Sequence, residues 1–270
     1  MRAPALAFAA TLAALSPAAA EEGLIQGLWD GAPSCLLARV RDGAVATLYQ
    51  TPPETGPRDW WVADLEGVLG QNRGDVPVSE ECGCIEAPIV PLAPKLQLEG
   101  PAVAANLPLR LPAKQELLST ESAAYVKAVR EALAARGFPA DVPVRLTHVL
   151  RTDVEGDGVD EVILAGGWNP FVAEATAEQG YYTFLLLRRL VDGAVVTDEL
   201  DAWWDPAPAA DFMPLEAGAA ASVPVALFDA DGDGTVELAT ASWGHEFLSY
   251  HLWALSAEGP VELASCGCGC

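Results

Sequence analysis

Apolar and polar positions alternate in short runs cut by glycine, proline and aspartate, a pattern of hairpins rather than long helices. Two stretches share one layout, "VLRTDVEGDGVDEVILAGGW" at 149–168 and "VALFDADGDGTVELATASWG" at 225–244. Each has a β-favouring lead, an acidic loop punctuated by glycine, a glutamate, and a second β-favouring run ending near Trp168 or Trp243. This predicts strand, tight loop, strand, with loops that begin at Asp153 and Asp229, 76 positions apart.

A second repeat lies beside the first. "LLARVRDGAVAT" (36–47) and "LLRRLVDGAVVT" (186–197) agree at eight of twelve positions. Asp-Gly between apolar runs predicts a hairpin, because glycine accepts the positive φ that a two-residue turn requires. A looser copy, "YHLWALSAEGPVELASC" (250–266), has Glu258-Gly259 at its turn. The chain therefore reads as units of two hairpins, of which the N-terminal unit keeps only the second. The proline-rich stretch 86–113 predicts extended crossing segments with edge strands, not central ones. One amphipathic helix is expected within 119–137, capped by Ser119 or Thr120, with Glu121 at its positive end and Gly137 at its stop. Tyr125, Val129 and Leu133 form its apolar face. The expected fold is mainly β: repeat-derived antiparallel hairpins in an incomplete propeller-like or sandwich arrangement, with one amphipathic helix. The expected organisation is a leader at 1–20, an N-terminal β and proline-rich segment at 21–115, and the helix with two loop-bearing repeats at 116–270.

Composition adds an address. Residues 1–20 combine Arg2, a short apolar run, Ser16-Pro17 and Ala18-Ala19-Ala20, the layout of a cleavable export signal. A periplasmic or secreted protein is expected after cleavage. The formal charge of −23 becomes −24 once Arg2 leaves with the leader. Such a surface disfavours nucleic acid and anionic membranes, whose binding rests on lysine and arginine, and favours cations. Neither nucleic acid binding nor membrane insertion is expected. The six cysteines are Cys35, Cys82, Cys84, Cys266, Cys268 and Cys270. In an exported chain they read as disulfides, joining the central "ECGC" to the tail, although spacing leaves the connectivity open. The competing reading is soft-metal binding, copper or zinc, by the "CGCGC" thiolates.

The acidic loops carry the most specific chemistry. With Asp229 at position one, Asp231 stands at three, Asp233 at five, Gly234 at six, Thr235 at seven and Glu237 at nine. A loop curled around a point aims alternate carboxylates inward and adds the carbonyl of position seven. That set of hard oxygen donors suits calcium, with its six to eight ligands and flexible geometry, better than magnesium. The first loop aligns as Asp153, Glu155, Asp157, Gly158, Val159 through its carbonyl, and Glu161. Glu155 is one methylene longer than aspartate, so a weaker or more hydrated site is expected there. These loops are not EF-hands: position twelve is Leu164 or Thr240, and the flanks read as strands.

"DADGDGTVE" at 229–237 and "DVEGDGVDE" at 153–161, set between strands, resemble the D-x-D-G-D-G-x-x-[DE] calcium loop of FG-GAP and VCBS-type repeats. "LAGG" at 164–167 resembles that family's post-loop strand. The resemblance covers about 40 residues and implies integrin-like propeller blades that hold calcium as a structural ion. Two such loops are too few for a closed propeller, which takes at least four blades, so an open arrangement is expected.

Catalytic signals are sparse. "HEFLSYH" places His245 and His251 six apart, whereas a zinc-protease helix needs four. His148 stands alone. There is no G-x-S-x-G elbow and no phosphate-binding glycine loop. Trp60-Trp61, Trp203-Trp204, Trp168 and Trp243 suggest either core packing or a stacking platform on the loop-bearing face for a protein or carbohydrate ligand. The expected function is therefore a non-catalytic exported calcium-binding repeat protein with a structural or recognition role. The alternatives are a secreted hydrolase on a β scaffold and a thiol-based metal handler.

Overall fold

The computed structural model describes residues 23–269 except 49–52, 54, 83–84, 113, 170–172, 174, 176, 208–220 and 257. The expected leader, Cys84 and Cys270 lie outside the described residues. In chain order the N-terminal strands are β1 (Gly23–Trp29), β2 (Ala32–Arg41), β3 (Ala44–Thr47), β4 (Arg58–Asp64), β5 (Gly67–Gly74), β6 (Val78–Cys82), β7 (Ile85–Ile89), β8 (Leu92–Ala93) and β9 (Pro101–Ala105). There follow β10 (Gln115–Leu117), the helix α1 (Ala123–Ala135), β11 (Leu146–Thr152), β12 (Glu161–Trp168), β13 (Tyr181–Val191) and β14 (Ala194–Asp205). The last four strands are β15 (Ala221–Phe228), β16 (Glu237–Trp243), β17 (Phe247–Ser256) and β18 (Gly259–Gly269).

The predicted hairpins form. Asp42-Gly43 and Asp192-Gly193 join β2 to β3 and β13 to β14, with all four residues at positive φ (54°, 73°, 51° and 79°), as a twisted two-residue hairpin demands. Gly259 follows the β17–β18 turn at φ 124°. Each acidic loop separates two antiparallel strands, β11 from β12 and β15 from β16. Two meanders result, β11-β12-β13-β14 with β10 added at its edge, and β15-β16-β17-β18.

The N-terminal unit departs from expectation. Its sheet runs β3-β2-β1-β9-β4-β5-β8, so β9 from the proline-rich stretch is a central strand paired with both β1 and β4. Pro101 stands at the first residue of β9, where a missing N–H costs little, and "AVAA" after it is free of proline. Strand β9 occupies beside β1 the place that β11 and β15 hold beside β12 and β16. Strands β1, β12 and β16 all end in tryptophan, namely Trp29, Trp168 and Trp243. A further Asp-Gly turn, Asp30-Gly31, joins β1 to β2.

The sheets stack in layers. The four-stranded sheet lies in the middle, and Phe228, Ala239, Ala241, Tyr250 and Leu252 pack against Ile25, Leu37, Ala63 and Val103 of the seven-stranded sheet. On its other face Leu227, Leu238 and Leu255 meet Leu150, Ile163, Leu185 and Leu187 of the five-stranded sheet. Being covered on both faces explains why all eight residues of β15 are buried instead of alternating. The helix closes the outside of the five-stranded sheet, with Val129 and Leu133 buried against Leu164, Tyr182, Phe184 and Leu186. It is shorter than expected. Ser122, not Ser119 or Thr120, is the N-cap, and its side chain makes no capping bond; Ser119 belongs to the turn before it, its Oγ accepting the Glu121 N–H and its carbonyl the Ser122 N–H. Gly137 ends the helix as predicted: at φ 84° it allows its own N–H to reach Ala134 O and that of Phe138 to reach Leu133 O.

Two disulfides join the C-terminal strand to the N-terminal region, Cys35–Cys266 and Cys82–Cys268, with Cα atoms 6.0 and 5.1 Å apart. The second links the central "ECGC" to the tail as expected. Among the described residues no cysteine is free, and no helix is long and apolar enough to cross a membrane.

Candidate metal centre

The second loop leaves β15 at Phe228 and returns at Glu237 over the length of one tight curl. Gly232 and Gly234, at φ 85° and 95°, supply backbone angles that side-chain-bearing residues resist. The curl gathers Asp229, Asp231 and Glu237 so that one carboxylate oxygen from each lies within 4.8 Å of the others. Asp229 is 6% exposed and Glu237 2%. One oxygen of each carboxylate is held by the loop backbone: Gly232 N–H donates to Asp229 Oδ1 (2.6 Å), Asp233 N–H to Asp231 Oδ1 (3.1 Å) and Ala230 N–H to Glu237 Oε2 (2.6 Å). Asp233 falls outside the gathered trio: it is exposed and its Oδ1 accepts the Thr235 N–H at 2.7 Å.

Burial dominates the electrostatics. It pushes Glu237 up to about 8, a rise increased by the charges of Asp231, Asp233 and Asp229 and opposed by the Ala230 N–H. Asp231 is raised as well, again chiefly by burial. The cation nearest the trio is Arg110, whose Nη1 stands 3.7 Å from Asp229 Oδ2 on a side chain 67% exposed. A solvated guanidinium at that distance offsets little of the repulsion among buried carboxylates.

The first loop repeats the fold with a looser result. Glu161 accepts the Val154 N–H (3.0 Å) as Glu237 accepts that of Ala230. Asp153 takes the N–H groups of Asp157 (3.1 Å) and Gly158 (2.8 Å), and Asp157 Oδ1 that of Val159 (2.8 Å). Burial raises Glu161, aided by Glu155, Asp157 and Asp153. Glu155, Asp157, Val159 and Glu161 border a cavity of about 230 Å³ against the β13–β14 turn, whereas Asp153 faces a different one. These carboxylates are not drawn into one trio as those of the second loop are.

Sequence reasoning missed how the loops meet. Val236 N–H donates to Val154 O at 3.1 Å, so the two curls are tied backbone to backbone. Asp153 and Asp229 line one cavity of about 340 Å³ with Arg110 and Lys114. Asp229 N–H bonds to Arg110 O at 2.8 Å, and Lys114 Nζ lies 2.7 Å from Asp160 Oδ2. Arg110 and Lys114 come from outside both loops, and nothing local in "LPLRLPAK" marks them.

The remaining candidates separate from the loops. His245 is exposed, and His251 lies on β17, a strand rather than a zinc-protease helix. Ser249 Oγ stands 3.2 Å from His251 Nε2, and His251 Nδ1 3.5 Å from Glu262 Oε2. Strand β17 is paired on both sides, with β16 and β18. Trp168 and Trp243 end the strands whose opposite ends carry the acidic loops, so they build no platform on the loop face. Trp60 is 1% exposed, and Trp204 packs among Tyr182, Phe184 and Phe138. No protein-family model, curated protein or solved structure matches the chain.

Proposed function

We propose that this chain is an exported, non-catalytic calcium-binding protein whose acidic hairpin loops hold the ion as a structural clamp, in the manner of the FG-GAP and VCBS-type loops they resemble. One observation carries the reading: Asp229, Asp231 and Glu237 are gathered to within 4.8 Å, two of them buried, with one exposed arginine for compensation. Hard carboxylate oxygens match calcium, which also tolerates the irregular geometry of a short loop and completes its shell with carbonyls and water. The Thr235 carbonyl is the natural donor from position seven. Two disulfides support residence in an oxidising compartment. The cellular role consistent with these features is envelope structure or recognition of a protein or carbohydrate.

Because the ion binds the folded state, it stabilises by mass action, about 2.7 kcal/mol at a concentration 100-fold above Kd. Differential scanning calorimetry on protein stripped with EGTA and then titrated with calcium should show a rise in Tm of about 5 °C or more. Asp231→Ala combined with Asp233→Ala should abolish that rise. A wild-type Tm indifferent to calcium would overturn the proposal.

A further inference from the structure

The helix meets the five-stranded sheet through Val129 and Leu133, but the neighbouring row on its surface is Ala128 and Ala132. Methyl groups there do not fill the space that a longer side chain would. A cavity of about 350 Å³ remains between helix and strands, floored by Leu164 and Leu186, which are 1% and 3% exposed. Its volume lies within the range of small-molecule sites.

The charges around this groove are paired with one exception. Arg136 bonds Glu199 and lies 4.3 Å above the Trp204 ring, and the second Glu199 oxygen accepts Trp204 Nε1–H at 3.4 Å. Glu131 is 3.7 Å from Lys127. Arg188, on β13 opposite Val162 and Thr197, borders the same cavity half-buried. Its guanidinium makes no ion pair or hydrogen bond among the described residues. In a chain with 38 acidic and 15 basic residues, an arginine left without a carboxylate is the less expected outcome. Partial burial also removes water that would otherwise satisfy its donors.

We propose that this groove binds a small amphipathic carboxylate, with its apolar body against the partly exposed Ala128 and Ala132 methyls above the Leu164–Leu186 floor and its carboxylate on Arg188. The planar guanidinium presents a fork of donors that matches a carboxylate, and the apolar floor rewards a hydrocarbon body. Cationic ligands are disfavoured by Arg188 and purely ionic ones by the floor. This site is independent of the acidic loops, and its proposal stands whether or not they bind calcium.

Isothermal titration of the full chain with octanoate and with 1-octanol tests it. Wild type should bind octanoate at least tenfold more tightly than octanol. Arg188→Gln should lose that preference while still binding octanol, whereas Arg188→Lys, which keeps the charge without the fork, should retain part of it. Ala132→Trp fills the groove and should remove binding of both ligands with an unchanged circular dichroism spectrum. Equal affinities of wild type for the two ligands, no binding of octanoate, or undiminished octanoate affinity in folded Arg188→Gln would each overturn the proposal.

Discussion

At the scale of single residues, Glu237 links burial to both protons and metal. In the metal-free protein its carboxyl, raised to about 8 from 4.5, keeps a proton in the folded state at pH values where the unfolded chain has lost it. The folded state then binds more protons than the unfolded one, so stability is fully present below about 4.5 and declines as pH rises toward 8. Asp231 and Glu161, raised in the same direction, steepen the decline. Urea denaturation of calcium-free protein between about pH 5 and pH 8 should record it. Glu237→Gln should flatten it and stabilise the metal-free chain by about 1–3 kcal/mol at the alkaline end, since an amide oxygen still accepts the Ala230 N–H without charge. The same variant should lose most of its response to calcium. A decline as steep as that of wild type would assign the effect to the general acidity of the chain instead. The trio itself was legible from the spacing of Asp229, Asp231 and Glu237, because alternate residues of a glycine-tightened curl face one point. The displacement of Asp233 was not, since it depends on whether a carboxylate turns to an ion or to the N–H two residues on. Arg110 was illegible altogether: its approach to Asp229 is a tertiary contact across more than a hundred residues.

At the scale of elements, legibility followed locality. The β2–β3 and β13–β14 hairpins were readable because Asp-Gly fixes the turn and the turn fixes the register. Strand β9 was not, because a count of prolines over 86–113 hides the fact that Pro101 occupies the single position of its strand where proline is tolerated. The helix lies between these cases, with its face and stop set by Val129, Leu133 and Gly137, and its start displaced to Ser122 by a turn that consumes Ser119. These assignments make a graded prediction. Leu133→Ala removes a side chain 1% exposed at the helix–sheet contact and should cost about 2–5 kcal/mol. Gly137→Ala leaves every apolar contact in place but forces an L side chain to φ 84°, and should cost about 1–2 kcal/mol. Thermal or urea denaturation ranks the two. A larger loss for Gly137→Ala would mean that the stop motif, not the apolar face, holds the helix in place. Calcium-induced stabilisation should persist in both variants, because α1 contributes nothing to either acidic loop.

At the scale of the whole molecule, stacking turns separate hairpin units into one body, and covalent links then hold its ends. Arg189, 8% exposed on β13, reaches Asp198 at 2.9 Å and the Ser256 carbonyl on β17 at 3.2 Å, tying the two loop-bearing sheets beside their shared apolar core. The four-stranded sheet is in turn bound to the N-terminal region by Cys35–Cys266 and Cys82–Cys268, which span 231 and 186 residues. Each bridge taken alone restricts a very long unfolded loop. With one in place, however, the other closes little more than the stretch from Cys35 to Cys82, because their tail cysteines are two residues apart. Loop-closure entropy grows with the logarithm of loop length, so the second bridge adds less than the first. Removing either pair by serine substitution should cost on the order of 3–4 kcal/mol, and removing both should exceed the sum of the two single losses by about 1 kcal/mol. Urea denaturation of the Cys35→Ser with Cys266→Ser protein, the Cys82→Ser with Cys268→Ser protein and the fourfold variant measures this directly. A strictly additive result would place the stabilisation in the native contacts around each bridge and not in the unfolded chain, and the two disulfides would then be local fastenings of β18 to β2 and β6 instead of a joint restraint on the whole fold.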